Sequence, residues 1–305
     1  MGQADTLRRF VFERYPFRGQ LVHLGPAWVA MMEHHDYPAQ VRDCLGEAVV
    51  AAALLASTLK FDGLLSLQLR GEGPMHLMLV ECTDGLAMRA VARFREVPDT
   101  RDLRELSGNG TLTVTIESGG GTNRYQGIVP LAGASMADCL RAYFEQSEQL
   151  PTRLWLRADG GSASGLLLQR LPVTSRPAGV TESGAGGIAE HEIEDAWRRV
   201  QLVADTVTGA ELASLEDREL LRRLFAEDDV RMFQSAPVFF RCRCSRERVG
   251  AMLRALGRED VDSVLEEFGQ VEVRCEFCSR AYRFDVVDAT ALFAAGADAH
   301  RGGVH

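Results

Sequence analysis

Two cysteine pairs carry the chemistry most easily read from this chain. Cys242 and Cys244 form a C-x-C pair in "RCRCS", and Cys275 and Cys278 form a C-x-x-C pair in "RCEFCSRAY", with 30 residues between the pairs. Four thiolates complete a tetrahedral ligand set, and soft sulfur donors select zinc over magnesium or calcium. An iron–sulfur cluster is the other metal that such a set can hold. The remaining three of the 7 cysteines, Cys44, Cys82 and Cys139, fall in apolar patterns and read as small buried hydrophobes.

Two features of the pairs point to reactivity. A disulfide needs its Cα atoms about 4.4–6.8 Å apart, a span that a C-x-x-C turn meets easily and a C-x-C pair meets only with distortion. Distorted disulfides are the labile ones. In addition, Arg241, Arg243, Arg246, Arg248, Arg274 and Arg280 lie close to the cysteines in sequence, and nearby cations keep thiols in the thiolate form that oxidants attack. Arginines would equally neutralise an inert site of charge near −2. The residues alone therefore leave a redox switch and a structural zinc knob both open.

The elements that must position these cysteines follow from the segment between them. "SRERVGAMLRALG" predicts a helix with Ser245 as N-cap, and "DVDSVLEEFG" predicts a second helix that Gly269 ends. Residues 241–290 then make a module of about fifty residues, near the size at which metals or disulfides are needed for independent folding. Residues 291–305 read as a tail, small and polar from Ala294 onward.

Upstream, residues 1–178 read as an α+β domain. Leu65, Leu67 and Leu69 alternate with polar residues, Asp84-Gly85 offers a hairpin turn, and Leu112, Val114 and Ile116 repeat the alternation, together predicting an antiparallel sheet. "TRLWLRA" and "SGLLLQRLP" are further strand candidates. Helices are expected at "VRDCLGEAVVAAALLASTL", whose apolar run from Ala48 to Leu59 suits a buried core helix, and after Ser135, which with Asp138 resembles a capping box. Gly179 to Gly187, "GVTESGAGG", reads as a flexible joint that opens a linker over 179–240. The charged, helix-prone stretch beyond it has Thr208 and Glu211 at capping-box spacing, and Trp197, Val200, Leu221 and Leu224 as apolar positions available for packing or for binding a partner.

Composition excludes some classes. A formal net charge of −9 and a pI near 5.4 disfavour a general nucleic-acid binder. Lys60 is the sole lysine, so nearly every cation is an arginine. The N-terminus lacks the apolar stretch of a secretory signal, and the longest apolar run is shorter than the ~20 residues that span a bilayer. The expectation is a cytoplasmic protein without a membrane partner, where clustered cysteines are metal ligands or redox groups. His34, His35 and Asp36 could suggest a proton relay, but adjacent side chains on a helix diverge. No His-Glu-x-x-His or phosphate-loop motif occurs, so no enzyme is expected.

The stretch Cys242-x-Cys244-Ser-Arg-Glu-Arg, followed by Cys275-x-x-Cys278-x-x-x-Tyr282-x-Phe284, resembles the redox-switch domain of the thirty-three-kilodalton redox-regulated heat-shock chaperones. "RGQLV", "HHDYP", "TLKFDG", "GEGPM", "RYQGIV" and "YFEQSEQLPTRL" resemble that family's N-terminal domain. The resemblance implies an ATP-independent holdase, inactive while reduced and zinc-bound. It implies that Cys242, Cys244, Cys275 and Cys278 ligate one zinc ion, and that oxidation joins Cys242 to Cys244 and Cys275 to Cys278 with loss of the metal. It further implies an unfolding linker, unfolded client proteins as partners, a homodimer in the active state, and transfer of clients to ATP-dependent foldase chaperones. The glycines at 119–121 and near Gly184 are possible departures from the family. A structural zinc ribbon that binds nucleic acid or a protein partner is the alternative.

Overall fold

The computed structural model describes residues 5–96, 99–118, 124–129, 131, 133–172 and 188–299. The glycine-rich joint at 179–187, the glycines at 119–121 and the last six residues lie outside these. The chain divides into two compact units, Met1–Arg241 and Cys242–His305. Both are mixed α and β, as the alternating and helical periods in the sequence require.

In the first unit, β1 (Thr6–Phe12) and β2 (Phe17–Leu24) are followed by α1 (Pro26–Met32) and the long α2 (Ala39–Thr58). The strands β3 (Gly63–Arg70), β4 (Met75–Thr83) and β5 (Ala87–Phe94) come next, then α3 (Leu103–Ser107), β6 (Thr111–Ser118), β7 (Arg124–Val129), α4 (Met136–Tyr143), β8 (Thr152–Ala158) and β9 (Ala163–Arg170). They build two sheets. One has the antiparallel order β1-β2-β9-β8, and the other the antiparallel order β5-β4-β3-β6-β7.

The sequence predicts the second sheet well: Leu65, Leu67, Leu69, Leu112 and Val114 all point into the core and are fully buried. The expectation of a single sheet is replaced by two. "TRLWLRA" and "SGLLLQRLP" pair with the N-terminal β2 instead of extending the β3 to β7 meander. Sequence-distant pairing of this kind leaves no local trace, because a strand's alternation names a face and not a partner.

α2 explains why two sheets are needed. It is apolar around its whole circumference, and Ala48 to Leu55 are fully buried. A helix of that composition must be covered on all sides, and it packs on strands of both sheets. Gly165 in β9 permits the approach, since a Cβ there would lie 2.4 Å from Val50 Cγ1. Ser135 caps α4 by accepting the Asp138 amide hydrogen bond at 3.1 Å. The hairpin between β4 and β5 forms around Asp84-Gly85, with Leu86 as its left-handed residue at φ 60°.

Residues 188–240 belong to this first unit. α5 (Glu190–Ala204), α6 (Gly209–Ser214) and α7 (Asp217–Leu224) lay Ile193, Trp197, Val200, Leu220, Leu221 and Leu224 onto the outer face of the first sheet, where Phe10, Phe12, Phe17, Leu21, Leu166 and Leu168 await them. Trp197 meets Phe17 with ring centroids 5.1 Å apart. The Thr208–Glu211 capping box is complete. Polar contacts frame the apolar seam: Arg199 pairs with Asp228 at 2.6 Å, Arg153 donates to Gln201 at 2.7 Å and Trp155 Nε1 donates to Asp205 at 3.1 Å. The chain then adds β10 (Val230–Met232) and β11 (Ala236–Pro237) antiparallel to β1, and β12 (Phe239–Phe240) parallel to β5. The Arg241 amide donates to the Met88 carbonyl at 2.9 Å, one residue before the first metal-site cysteine.

The second unit holds α8 (Arg246–Leu256), α9 (Arg258–Phe268), the antiparallel hairpin of β13 (Val271–Arg274) and β14 (Ala281–Phe284), and α10 (Val286–Ala299). Ser245 caps α8, and Gly269, at φ 73°, ends α9. Val249, Leu253, Val261, Leu265, Tyr282 and Phe284 form its small core. The tail expected from residue 291 is instead helical through Ala299, because Leu292 and Phe293 pack against that core. Among the described residues no helix is long and apolar enough to cross a membrane.

Candidate metal centre

The 30-residue gap between the cysteine pairs is closed by the fold of the second unit. α8 and α9 leave from Ser245 and deliver the chain to β13, whose hairpin carries Cys275-x-x-Cys278 in its turn. The Cys275 amide donates to Arg280 O at 3.0 Å and the Ser279 amide donates to Cys275 O at 2.8 Å. Ser279 takes a left-handed φ of 52°, which turns the chain tightly enough to aim both sulfurs the same way. Cys242 and Cys244 lie outside helix and strand, just before the Ser245 cap of α8.

The four sulfurs lie within 4.8 Å of one another. Cys242 Sγ is 3.6 Å from Cys275 Sγ, and Cys244 Sγ is 3.5 Å from Cys278 Sγ. A zinc ion with Zn–S bonds of about 2.3 Å places its tetrahedral sulfurs about 3.8 Å apart, so the cluster has the size and the donor type that a zinc ion needs. It is the one such grouping of metal-binding side chains found among the described residues. Since every sulfur is near every other, proximity in this reduced arrangement selects no disulfide pairing.

The thiols influence one another strongly. Burial alone would raise the Cys242 thiol, but hydrogen bonds from the Cys244 backbone and from the neighbouring thiols outweigh it and bring it down to about 7. Burial, reinforced by thiols that donate to their neighbour, pushes Cys275 and Cys278 up. Four half-buried sulfurs thus share protons that a divalent cation would displace.

Sequence reasoning missed one member of the site. Tyr282 Oη lies 3.1 Å from Cys244 Sγ, with the tyrosine ring in the module's core. A polar residue flanking the C-x-x-C pair on the same hairpin is the signal that could have found it. The arginines are less uniform than their sequence neighbourhood suggests. Arg274 is engaged by Glu272, and Arg246 by Asp288 while it stacks 4.2 Å above the Phe284 ring. Arg280 faces the cluster: its pKa is raised by the contact with Tyr282 first, and then by the charges of Cys244 and Cys278.

The other sequence candidates lie elsewhere. His35 stacks on Tyr37 at 4.9 Å, and among the described residues no ligand cluster includes His34, His35 or Asp36. Cys82 and Cys139 are buried, and burial raises the Cys82 thiol to about 12. Cys44, expected to be buried, is only half-buried; desolvation still raises its thiol, with smaller contributions from Glu47, Cys139 and Asp43.

The family model described as "Hsp33 protein" matches residues 5–285, from the first strand through the cysteine cluster. The chain is 43% identical over 291 residues to the 33 kDa chaperonin of Methylobacillus flagellatus, covering 95% of this chain and 94% of that one. It is 45% identical over 293 residues to the 33 kDa chaperonin of Nitrosococcus oceani, covering 96% of each. The crystal structure of the 33 kDa chaperonin from Thermotoga maritima superposes with a TM-score of 0.79 at 21% identity, covering 96% of this chain and 99% of that one. The chain belongs to the Hsp33 family of heat-shock chaperones.

Proposed function

We propose that this protein is a redox-regulated, ATP-independent holdase whose four cysteines hold one zinc ion in the reduced, inactive state. The observation that supports this most directly is the gathering of Cys242, Cys244, Cys275 and Cys278 within 4.8 Å in a chain of this family. Bound zinc supplies a cross-link for a module whose own core is small, worth an apparent folding free energy of about 10–16 kcal/mol.

The thiolates are the reactive groups. Each disulfide consumes two of them and passes two electrons to one peroxide molecule, which leaves as two hydroxide ions. After Cys242 joins Cys244 and Cys275 joins Cys278, no thiolate remains to hold a divalent cation. The module then loses most of its folding free energy, and a shift of about 5.5 kcal/mol already inverts a 1:99 population. Residues 179–240 act as the linker in this reading. Their release would uncover the Phe10, Phe12 and Phe17 face of the first sheet together with Trp197, Val200, Leu221 and Leu224, all apolar side chains that now bury one another. Such surface binds unfolding clients without ATP. In this reading the active form is a homodimer in the cytoplasm, handing clients to ATP-dependent foldases once reducing conditions return. It has no enzymatic, nucleic-acid or membrane role.

The test is a single sample followed for zinc release and for suppression of light scattering by a thermally unfolding client. Measurements are taken before peroxide at elevated temperature, after it, and after reduction with zinc restored. Holdase activity that appears with zinc loss and disappears on reduction is expected. Zinc retained throughout, or lost without client protection, would mean a structural zinc ribbon with a nucleic-acid or protein partner.

A further inference from the structure

One site in the first unit is used neither by the cysteine chemistry nor by the helices packed on the first sheet. Arg9 pairs across the strands with Gln20, and Val11 with Arg18. By alternation these residues share the face of Leu7 and Val22, the face that α2 covers. α2 runs out near Ser57, and there the surface forms a pocket of 270 Å³ lined by Arg9, Arg18, Gln20, Ser57, Leu171 and Phe233, among others.

The charge in this pocket is not balanced. Arg18 donates through Nε and Nη2 to a neutral acceptor, Gln169 Oε1, at 2.8 and 2.5 Å. Among the described residues Arg9 has no ion-pair partner, and Glu13, the acidic residue just beyond β1, is engaged by Arg231. Burial, and then the charge of Arg9, lower the pKa of Arg18. The Arg9 guanidinium and the N–H groups of Arg18 that Gln169 leaves unused border one pocket without a carboxylate among its lining residues, and guanidinium donors match the planar oxygens of a carboxylate or phosphate. Phe233 and Leu171 supply an apolar wall beside them.

We propose that this pocket binds a small organic oxyanion, its phosphate or carboxylate head held by Arg9 and Arg18 and its apolar body resting on Phe233 and Leu171. The volume suits a ligand smaller than a nucleotide. Phe233 is attached to β1 through its own backbone: its amide donates to Arg9 O at 2.9 Å, and Arg8 Nη1 donates to its carbonyl at 3.1 Å. A ligand touching both Arg9 and Phe233 binds only while that attachment holds, and so stabilises it by mass action. This inference is independent of the redox reading.

The test uses the reduced full-length protein at constant ionic strength, titrated with phenyl phosphate or with benzoate by calorimetry, with amide exchange read at Phe233. Saturable binding and slower exchange at Phe233 are expected for at least one probe; phenyl phosphate alone assigns a phosphate head, benzoate alone a carboxylate head. Arg9→Gln and Arg18→Gln should each weaken binding about tenfold or more, whereas Arg222→Gln on α7 should leave it unchanged. Because Arg9 is exposed and has no ion-pair partner among the described residues, Arg9→Gln keeps the melting temperature and separates binding from folding. Saturation by neither probe, or equal binding by Arg9→Gln, Arg18→Gln and the unmodified protein, overturns the assignment.

Discussion

His23 Nε2 lies 3.0 Å from Asp217 Oδ1, while Arg8 engages the other oxygen of the same carboxylate. The contact joins β1 and β2 to the first turn of α7, so it pins the segment that follows the glycine-rich joint onto the first sheet. Burial alone would raise the Asp217 carboxyl, but the contacts from His23 and Arg8 outweigh it and hold it below the usual carboxylate range. A depressed carboxyl contributes stability above its unfolded pKa of about 3.9 and loses it as pH falls through the folded value. Cleavage within 205–229 by an acid-tolerant protease should therefore accelerate below about pH 4. Asp217→Asn should be cleaved faster at neutral pH and show a flatter acid dependence.

The apolar seam gives a larger effect. Trp197 and Leu220 are almost fully buried against the first sheet. Truncating either to alanine removes about 2–5 kcal/mol of packing. In the reduced protein, Trp197→Ala should bind a hydrophobic dye and slow client aggregation without any oxidant. Wild-type behaviour in both assays would show that this seam does not restrain chaperone activity.

Metal removal should unfold the second unit first. A strong chelator added to the reduced protein should abolish the helical signal of residues 246–299 and leave the two sheets of the first unit folded. Cys278→Ser should mimic it, lowering zinc stoichiometry from one to near zero. A chelated protein with unchanged amide protection in α8 and α9 would argue that the small core of Val249, Leu253 and Val261 folds unaided.

Thiol reagents should divide the cysteines into two groups. The four site sulfurs should react quickly once the metal is removed, while Cys82 and Cys139 should react only on global unfolding, because both are fully enclosed and burial holds Cys82 protonated. Reaction of Cys82 at the rate of Cys242 would contradict this ordering.

At Gly165 the helix and sheet meet too closely for a side chain. Gly165→Ala should destabilise the first unit by about 1–3 kcal/mol through overpacking against Val50. Thermal melting of the reduced protein reads the change directly.

How much of this was legible in the sequence depended on the range of the interaction. The cysteine pairs, the Ser245 and Thr208 caps and the Gly269 stop are encoded within a few residues, and each appears where its spacing places it. The leucine alternation of β3 likewise named its buried face. The partition into two sheets was not legible, because Leu166 and Leu168 in β9 are as apolar as Leu65 and Leu67 in β3, and nothing local states which strand each will pair with. His23 and Asp217 were invisible for the same reason: a lone histidine and a lone aspartate acquire meaning only when the fold brings them together. Tyr282 stands four residues beyond Cys278, but its hydroxyl's contact with Cys244 depends on a hairpin register that spacing does not give.

β12 has a further consequence. Its Phe239 and the following Arg241 supply backbone donors to the carbonyls of Leu86 and Met88, and Cys242 is the next residue in the chain. Were they to peel away, β5 would become a bare sheet margin with unsatisfied carbonyl groups, a template on which an extended foreign segment could hydrogen-bond by backbone alone, without regard to its side chains. A chaperone needs that kind of indifference to sequence. Isotope-edited infrared spectra of carbonyl-labelled Leu86 and Met88, with and without an unfolded client, would show whether those acceptors change partners.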